Sequence, residues 1–292
     1  MVVILSHKPM VSPWERIGLE QCGRVLAEHD QLLVCPKGMP TDQYTNLIPG
    51  LQVLEVDPKW MRSYSAYSDF KTSPVLYKAL QEKYRFLLCH EPDVFVFRDE
   101  LDEWCERGFD YIGAPFFSGR PVYPEDAEII GVGNSGFSLR NVDQHIKANR
   151  TLKYLQPPRE LWGELLDRPS ARQKLTGVPV TILKTLGVGN NMLYQLRAPY
   201  LRARNKIRAE DLFWGLDVAR VLPWFRVADP DTAMRFSFEI LPHKLYAMTG
   251  NQLPFGCHGW FRFGLEFWRP FIEAEGYVLP DEELPAHGST TA

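Results

Sequence analysis

A chain of 292 residues, 45% hydrophobic and 24% charged, can bury one large core or two modest ones and has the composition of an ordinary globular protein. Its net charge of -3 gives no electrostatic case for a nucleic-acid partner, which would show as a basic stripe. No run reaches the roughly eighteen apolar residues of a membrane span. Met1 to Leu5 is too short and uncharged for a signal peptide. The five cysteines form no C-x-x-C pair, so buried thiols in a reducing, cytoplasmic setting are expected. Peripheral attachment to a membrane is left open by these observations.

In chain order, Val2-Val3-Ile4-Leu5 reads as a buried first strand ending in the polar Ser6-His7-Lys8. Trp14 to Glu28 repeats apolar residues at helical spacing, Leu32 to Cys35 is a second strand and Leu51 to Val56 a third. Strand, helix, strand in this rhythm predicts a mostly parallel α/β sheet. A helix is expected over Tyr64 to Tyr84, with Lys71 near its beginning. Phe86 to Cys89 is apolar and stops abruptly at His90-Glu91-Pro92-Asp93, as a strand buried on both faces would. Pro92 cannot donate to a sheet ladder, so the chain should turn there and leave Glu91 and Asp93 beyond the carboxyl end of a central strand. Two carboxylates one residue apart suit Mg²⁺ or Mn²⁺, although a solvated turn has the same composition.

A short helix over Leu101 to Arg107 and a strand over Asp110 to Pro115 follow, and then Gly133-Asn134-Ser135-Gly136, whose glycines permit close backbone approach to a ligand or simply a tight turn. Residues 141–208 are rich in lysine and arginine and read as a helical insertion within a single domain spanning 1–280, with 281–292 a disordered tail. Gly187-x-Gly189 lacks the strand and lysine of a phosphate loop. Glu210-Asp211 opens an apolar helix, where capping and the helix dipole favour acids. A carboxylate there can also act as general base toward a hydroxyl. His258 lies in a glycine- and aromatic-rich turn, and an imidazole is a good ligand for Mn²⁺ as well as a common structural group.

This order of an acidic x-Asp pair after a buried strand, a G-x-x-G, a Glu-Asp helix start and a late histidine resembles GT-A glycosyltransferases, and its glycine-rich and Glu-Asp elements resemble those of the fringe and core-1 galactosyltransferase group most of all. The wider pattern is Asp93-Val94-Phe95-Val96-Phe97, Trp104-Cys105, Asp110 to Pro115, Gly133 to Arg140, Glu210 to Trp214 and Pro254 to His258. It resembles an uncharacterised domain family from about Tyr64 to Trp260. The resemblance implies a GT-A-like, Rossmann-type sheet flanked by helices and a metal-dependent, inverting transfer from a nucleotide-sugar donor, UDP-linked, to a glycan, lipid-linked glycan or protein acceptor. It implies that Asp93, Glu91 and His258 hold Mn²⁺ or Mg²⁺, with Glu91 standing where the family motif has its first Asp. Asp211 is implied as the base, with Glu210 as its substitute. Gly133, Asn134, Ser135 and Gly136 would floor the donor site, His7 and Lys8 would hold the nucleotide, and Lys71 would neutralise a phosphate unless it is a solvated helix lysine. A catalytically lost nucleotide- or sugar-binding protein is the alternative. A phosphoesterase would need more clustered His and Asp ligands than the chain offers.

Overall fold

The computed structural model describes residues 1–119, 123–191 and 209–281. Among them, strands β1 (Val2–Leu5), β2 (Gln31–Pro36), β3 (Gln52–Val56), β4 (Phe86–His90), β5 (Val94–Val96), β6 (Tyr111–Ile112), β7 (Pro115–Phe117), β8 (Ile129–Val132), β9 (Phe137–Asn141), β10 (Ser237–Phe238) and β11 (Gly256–His258) form three sheets. The six-stranded sheet runs β3-β2-β1-β4-β9-β6. Its first four strands are parallel, and β9 is antiparallel to both β4 and β6. The expected mostly parallel α/β sheet flanked by helices is therefore the observed architecture.

Both faces of the sheet are covered, and so β1 and β4 are buried throughout rather than alternating, apolar except for the closing His90. Helix Pro13–Val25 packs Leu19 and Cys22 against one face. Ser12 and Glu15 close a reciprocal capping box at its start. On the other face lie Phe70, Leu76, Tyr77 and Trp214. The helix expected over Tyr64 to Tyr84 is two helices, Tyr64–Thr72 and Pro74–Leu80. Ser73 precedes a proline and is held extended, so it ends the first helix and caps the second. That break puts Lys71 in the last turn of a short helix instead of near the beginning of a long one. The strand expected over Asp110 to Pro115 is likewise split, β6 staying in the large sheet and β7 pairing with β8.

The three-stranded sheet, ordered β10-β11-β5, is built on the continuation of the chain past β4. Its apolar backing holds Trp260 and Trp268 at 0% exposure. Helices Val142–Asn149, Pro158–Leu166 and Ala171–Thr185 occupy the described part of the predicted helical insertion, while its residues 192–208 and the tail beyond Asp281 lie outside the described residues. All five cysteines are free thiols, four of them buried. No helix among the described residues is long and apolar enough to cross a membrane.

Candidate functional site

Strand registers bring the acidic cluster together. β4 ends at His90, and Glu91-Pro92-Asp93 carries the chain from the large sheet into β5 of the small one. The antiparallel register pairs His258 with Val94, placing the imidazole beside Asp93. Parallel pairing of Phe238 with Cys257 brings Glu239 to the opposite side of the same imidazole. On the other flank, His90 pairs with Phe137 and the Glu91 N–H donates to the Gly136 carbonyl at 2.8 Å. Residues distant in sequence thus converge on the carboxyl edge of two sheets.

Glu91, Asp93 and His258 each offer one ligand atom, all within 4.8 Å of one another. His258 Nε2 stands 3.3 Å from Asp93 Oδ1 and 3.7 Å from Glu91 Oε2, while Nδ1 lies 2.8 Å from Glu239 Oε1. Glu239 is the natural acceptor for an Nδ1–H, which leaves Nε2 as the nitrogen turned toward the two carboxylates. Nε2 is buried without a hydrogen-bond partner of its own and faces both carboxylates, as a nitrogen ligand to a cation would. A Cβ at Gly136 would come within 2.2 Å of Nε2, so a glycine is what keeps that space open. Two carboxylates and an imidazole are a fitting donor set for Mn²⁺ or Mg²⁺.

Burial and neighbouring charges oppose one another throughout the cluster. Burial raises the Glu91 carboxyl, but Lys71, His258 and Tyr67 outweigh it and hold Glu91 well below the usual range. Asp93 is likewise lowered, burial being overcome by His258 and by Arg262, whose guanidinium sits 3.1 Å from Oδ2. Burial works against charging His258, yet Asp93, Glu239 and Glu91 raise it well above an ordinary histidine. The neighbouring His90 is fully buried, and loss of solvation pushes it down to about 4.

Lys71 and Glu210 are placed differently from expectation. Lys71 is 0% exposed and gives its protons to Glu91 at 3.0 Å, to the Ser135 hydroxyl at 2.7 Å and to the Ser135 carbonyl, with Glu210 at 3.2 Å. It is neither a solvated helix lysine nor free to meet a phosphate, because carboxylates and the Ser135 loop already surround it. Glu210 is 2% exposed, and both its oxygens accept from Arg140 at 3.0 Å. A carboxylate so tied is held ionised and is a poor substitute base: burial is opposed by Arg140 and Lys71, and its pKa is lowered.

Asp211 differs in kind. It is partly exposed, accepts one hydrogen bond from the Leu212 N–H, and is raised to about 6 by burial and by the charge of Glu210. After Glu210–Leu212 the chain winds into a π-helical turn, Phe213–Val218. Gly215 lets that turn press on the Val132 carbonyl, where a Cβ would come within 1.9 Å. The loop Gly133–Gly136 spans from this acid to the cluster: a Cβ at Gly133 would meet the Asp211 carbonyl at 3.0 Å, and Gly136 abuts His258. Asn134 is a buried turn former that takes the Phe137 N–H on Oδ1, and Ser135 is turned to Lys71. His7 and Lys8 are exposed beyond β1, with Lys8 3.2 Å from Glu15. Burial, then Lys8, lowers His7.

Glu239 and Arg262 escaped the sequence reading. Neither has a local signature, and each acquires its place only through the β10–β11 pairing and the turn after His258. Tyr67, which donates to Glu91 at 2.7 Å, had only its spacing of one helical turn before Lys71.

Fold and cluster together define an α/β protein with an acidic, histidine-bearing cluster that could hold a cation at the carboxyl edge of its sheets. The chain belongs to the family described as "Protein of unknown function (DUF5672)", whose model matches residues 50–258. No curated protein matches the chain. Solved structures to which it is similar include mouse xyloside xylosyltransferase 1 in its apo form, at 11% identity and a TM-score of 0.44, covering 88% of this chain and 96% of that chain. Another is the galactosyltransferase LgtC in complex with donor and acceptor sugar analogs, at 10% identity and a TM-score of 0.42, covering 96% and 98%. A third is a glycosyltransferase involved in the glycosylation of the major capsid of PBCV-1, at 11% identity and a TM-score of 0.38, covering 93% and 98%. At this distance no residue's role is carried over from them.

Proposed function

We propose that the protein is a metal-dependent, inverting glycosyltransferase of GT-A type that moves a sugar from a nucleotide-sugar donor, UDP-linked, to a hydroxyl of a glycan, lipid-linked glycan or protein. One observation carries this reading: a glycine loop abuts the Glu91–Asp93–His258 cluster at one end and, at the other, the backbone of Asp211, whose partly exposed carboxylate is raised to about 6. Asp93, Glu91 and His258 would hold Mn²⁺ or Mg²⁺, which when bound supplies positive charge for a diphosphate leaving group.

The remaining chemistry belongs to the chain. Asp211 takes the proton of the acceptor hydroxyl, whose oxygen then forms the new bond to the anomeric carbon. The bond from that carbon to the diphosphate breaks, and the diphosphate departs with its electron pair. A single displacement of this kind inverts the anomeric centre. An acid near 6 is ionised at neutral pH and still more basic than a free aspartate, as a general base needs to be. Arg262 engages one Asp93 oxygen and leaves the other toward His258, and Glu239 fixes the imidazole. The backbone of Gly133–Gly136 forms the floor between donor and base, with His7 and Lys8 at the rim on the nucleotide side.

The test is a screen of nucleotide sugars for Mn²⁺-dependent hydrolysis and thermal stabilisation, followed by two variants. Asp93→Ala should abolish turnover, and Asp211→Asn should keep nucleotide binding while losing transfer. Wild-type transfer by both variants would end this assignment. A catalytically lost binding protein is the second reading, favoured by Glu91, one of whose oxygens already accepts from Lys71 and Tyr67. Metal-dependent UDP binding with no turnover on any donor would select it.

A further inference from the structure

Helix Ala171–Thr185 is turned inside out. Its buried residues are Gly177 and Thr181, and it meets helix Pro158–Leu166 through Gly177, where a Cβ would lie 2.5 Å from a Leu165 methyl. Its large apolar residues point the other way. Leu175, Ile182 and Leu186, at spacings of seven and four, share one stripe and are 75%, 43% and 71% exposed, with Leu183 beside them. At about 1.5 Å per residue the stripe is roughly 16 Å long. A helix of a soluble protein ordinarily shows the reverse, with large apolar groups inward and polar ones out.

The charge around the stripe identifies its complement. Residues 168–191 contain Arg168, Arg172, Lys174 and Lys184 and no aspartate or glutamate, in a chain whose net charge is -3. The sequence continues without a carboxylate to Glu210. An exposed apolar stripe on a helix whose own charged side chains are all cations, the exposed Glu160 and Glu164 belonging to the neighbouring helix, is the composition of a helix that lies in the headgroup region of an anionic bilayer. No helix among the described residues is fit to cross one.

We infer that the outward face of helix Ala171–Thr185 docks the protein on an anionic lipid surface, with Leu175, Ile182 and Leu186 inserted and Arg172 and Lys174 at the headgroups. This inference stands independently of the glycosyl-transfer reading. The test is flotation of the full chain with vesicles of phosphatidylcholine, with and without about 30% phosphatidylglycerol. The wild type should float with the anionic vesicles and stay at the bottom with the neutral ones. A Leu175→Ser, Ile182→Ser, Leu186→Ser variant should lose at least about tenfold in partitioning. Its circular dichroism and melting temperature should be unchanged, because those side chains are exposed. Arg172→Glu with Lys174→Glu should lose the preference for anionic lipid. A wild type that does not float, or a serine variant that floats equally well, overturns the inference. So does a wild-type dimer by light scattering that the serine variant converts to monomer, since the stripe would then belong to a second copy.

Discussion

Replacing Glu210 by glutamine keeps the side chain's shape and removes one charge from a network in which Arg140 and Lys71 are both 0% exposed. Arg140 would be left with the hydroxyls of Ser138 and Tyr77, at 3.0 and 3.2 Å, and Lys71 with Glu91. Breaking a buried pair by removing one partner costs about 3–5 kcal/mol, and the surviving Lys71–Glu91 contact puts this case near 3. That is a large share of the roughly 5–15 kcal/mol by which a domain is stable. It corresponds to a fall of about 6–12 °C in melting temperature. Urea unfolding followed by tryptophan fluorescence should give a lower midpoint with an unchanged slope. A loss below about 1 kcal/mol would refute the view that Glu210 is a structural counter-charge, and would return it to the list of candidate bases.

Asp211→Asn should behave in the opposite way toward stability. The folded-state pKa of about 6 lies above the ordinary 3.8, so the folded chain's preference for the neutral acid is lost as pH rises through about 6, and at pH 7 the charge is a burden the amide removes. The variant should therefore melt no lower than wild type at neutral pH. In the wild type, the rate of transfer should fall on the acid side with a midpoint near 6, and a flat profile from pH 5 to 8 by initial rates would remove Asp211 as the base. Gly136→Ala places a methyl within 2.2 Å of His258 Nε2, and Mn²⁺ affinity by calorimetry should drop by at least about tenfold. Glu239→Gln leaves all three candidate ligands in place but loosens the imidazole, with an expected loss of about 10–100-fold in the same titration.

Much of the scaffold was legible because its signals are local. The abrupt end of the Phe86 to Cys89 run at Pro92 marks where β4 stops, and apolar β1 and β2 announce a sheet covered on both faces. Ser73-Pro74 was also a local signal, an extended residue forced before proline, and reading through it misplaced Lys71. The character of Lys71 was harder to see. A lysine on a helix of mixed polarity is ordinarily solvated, and nothing within that helix announces that Glu91 and Glu210 will close over it. Glu239 and Arg262 were invisible for a related reason. Their partners lie across β10–β11 pairing and a turn, contacts whose register no single segment encodes.

Lys71 also explains why the cation cluster and the Glu210–Asp211 helix start hold a fixed relation. Its ammonium touches Glu91 of the cluster, Ser135 of the glycine loop and Glu210 at the start of the helix that bears Asp211. The Lys71 carbonyl meanwhile accepts from the Tyr77 hydroxyl and the Trp214 indole N–H, so the helix end carrying it is pinned from two further elements. A cation in this position offsets repulsion between carboxylates that would otherwise drive the two regions apart, and it does so without occupying the face of Glu91 turned toward His258. The same placement sets the two acids of the Glu210–Asp211 pair on different courses. Arg140 and Lys71 hold Glu210 ionised, and the charge so fixed raises its neighbour Asp211. Burial raises the proposed base first and the charge fixed on Glu210 adds to it, so a variant that neutralises Glu210 should move the acid limb of the pH–rate profile to lower pH as well as reduce stability.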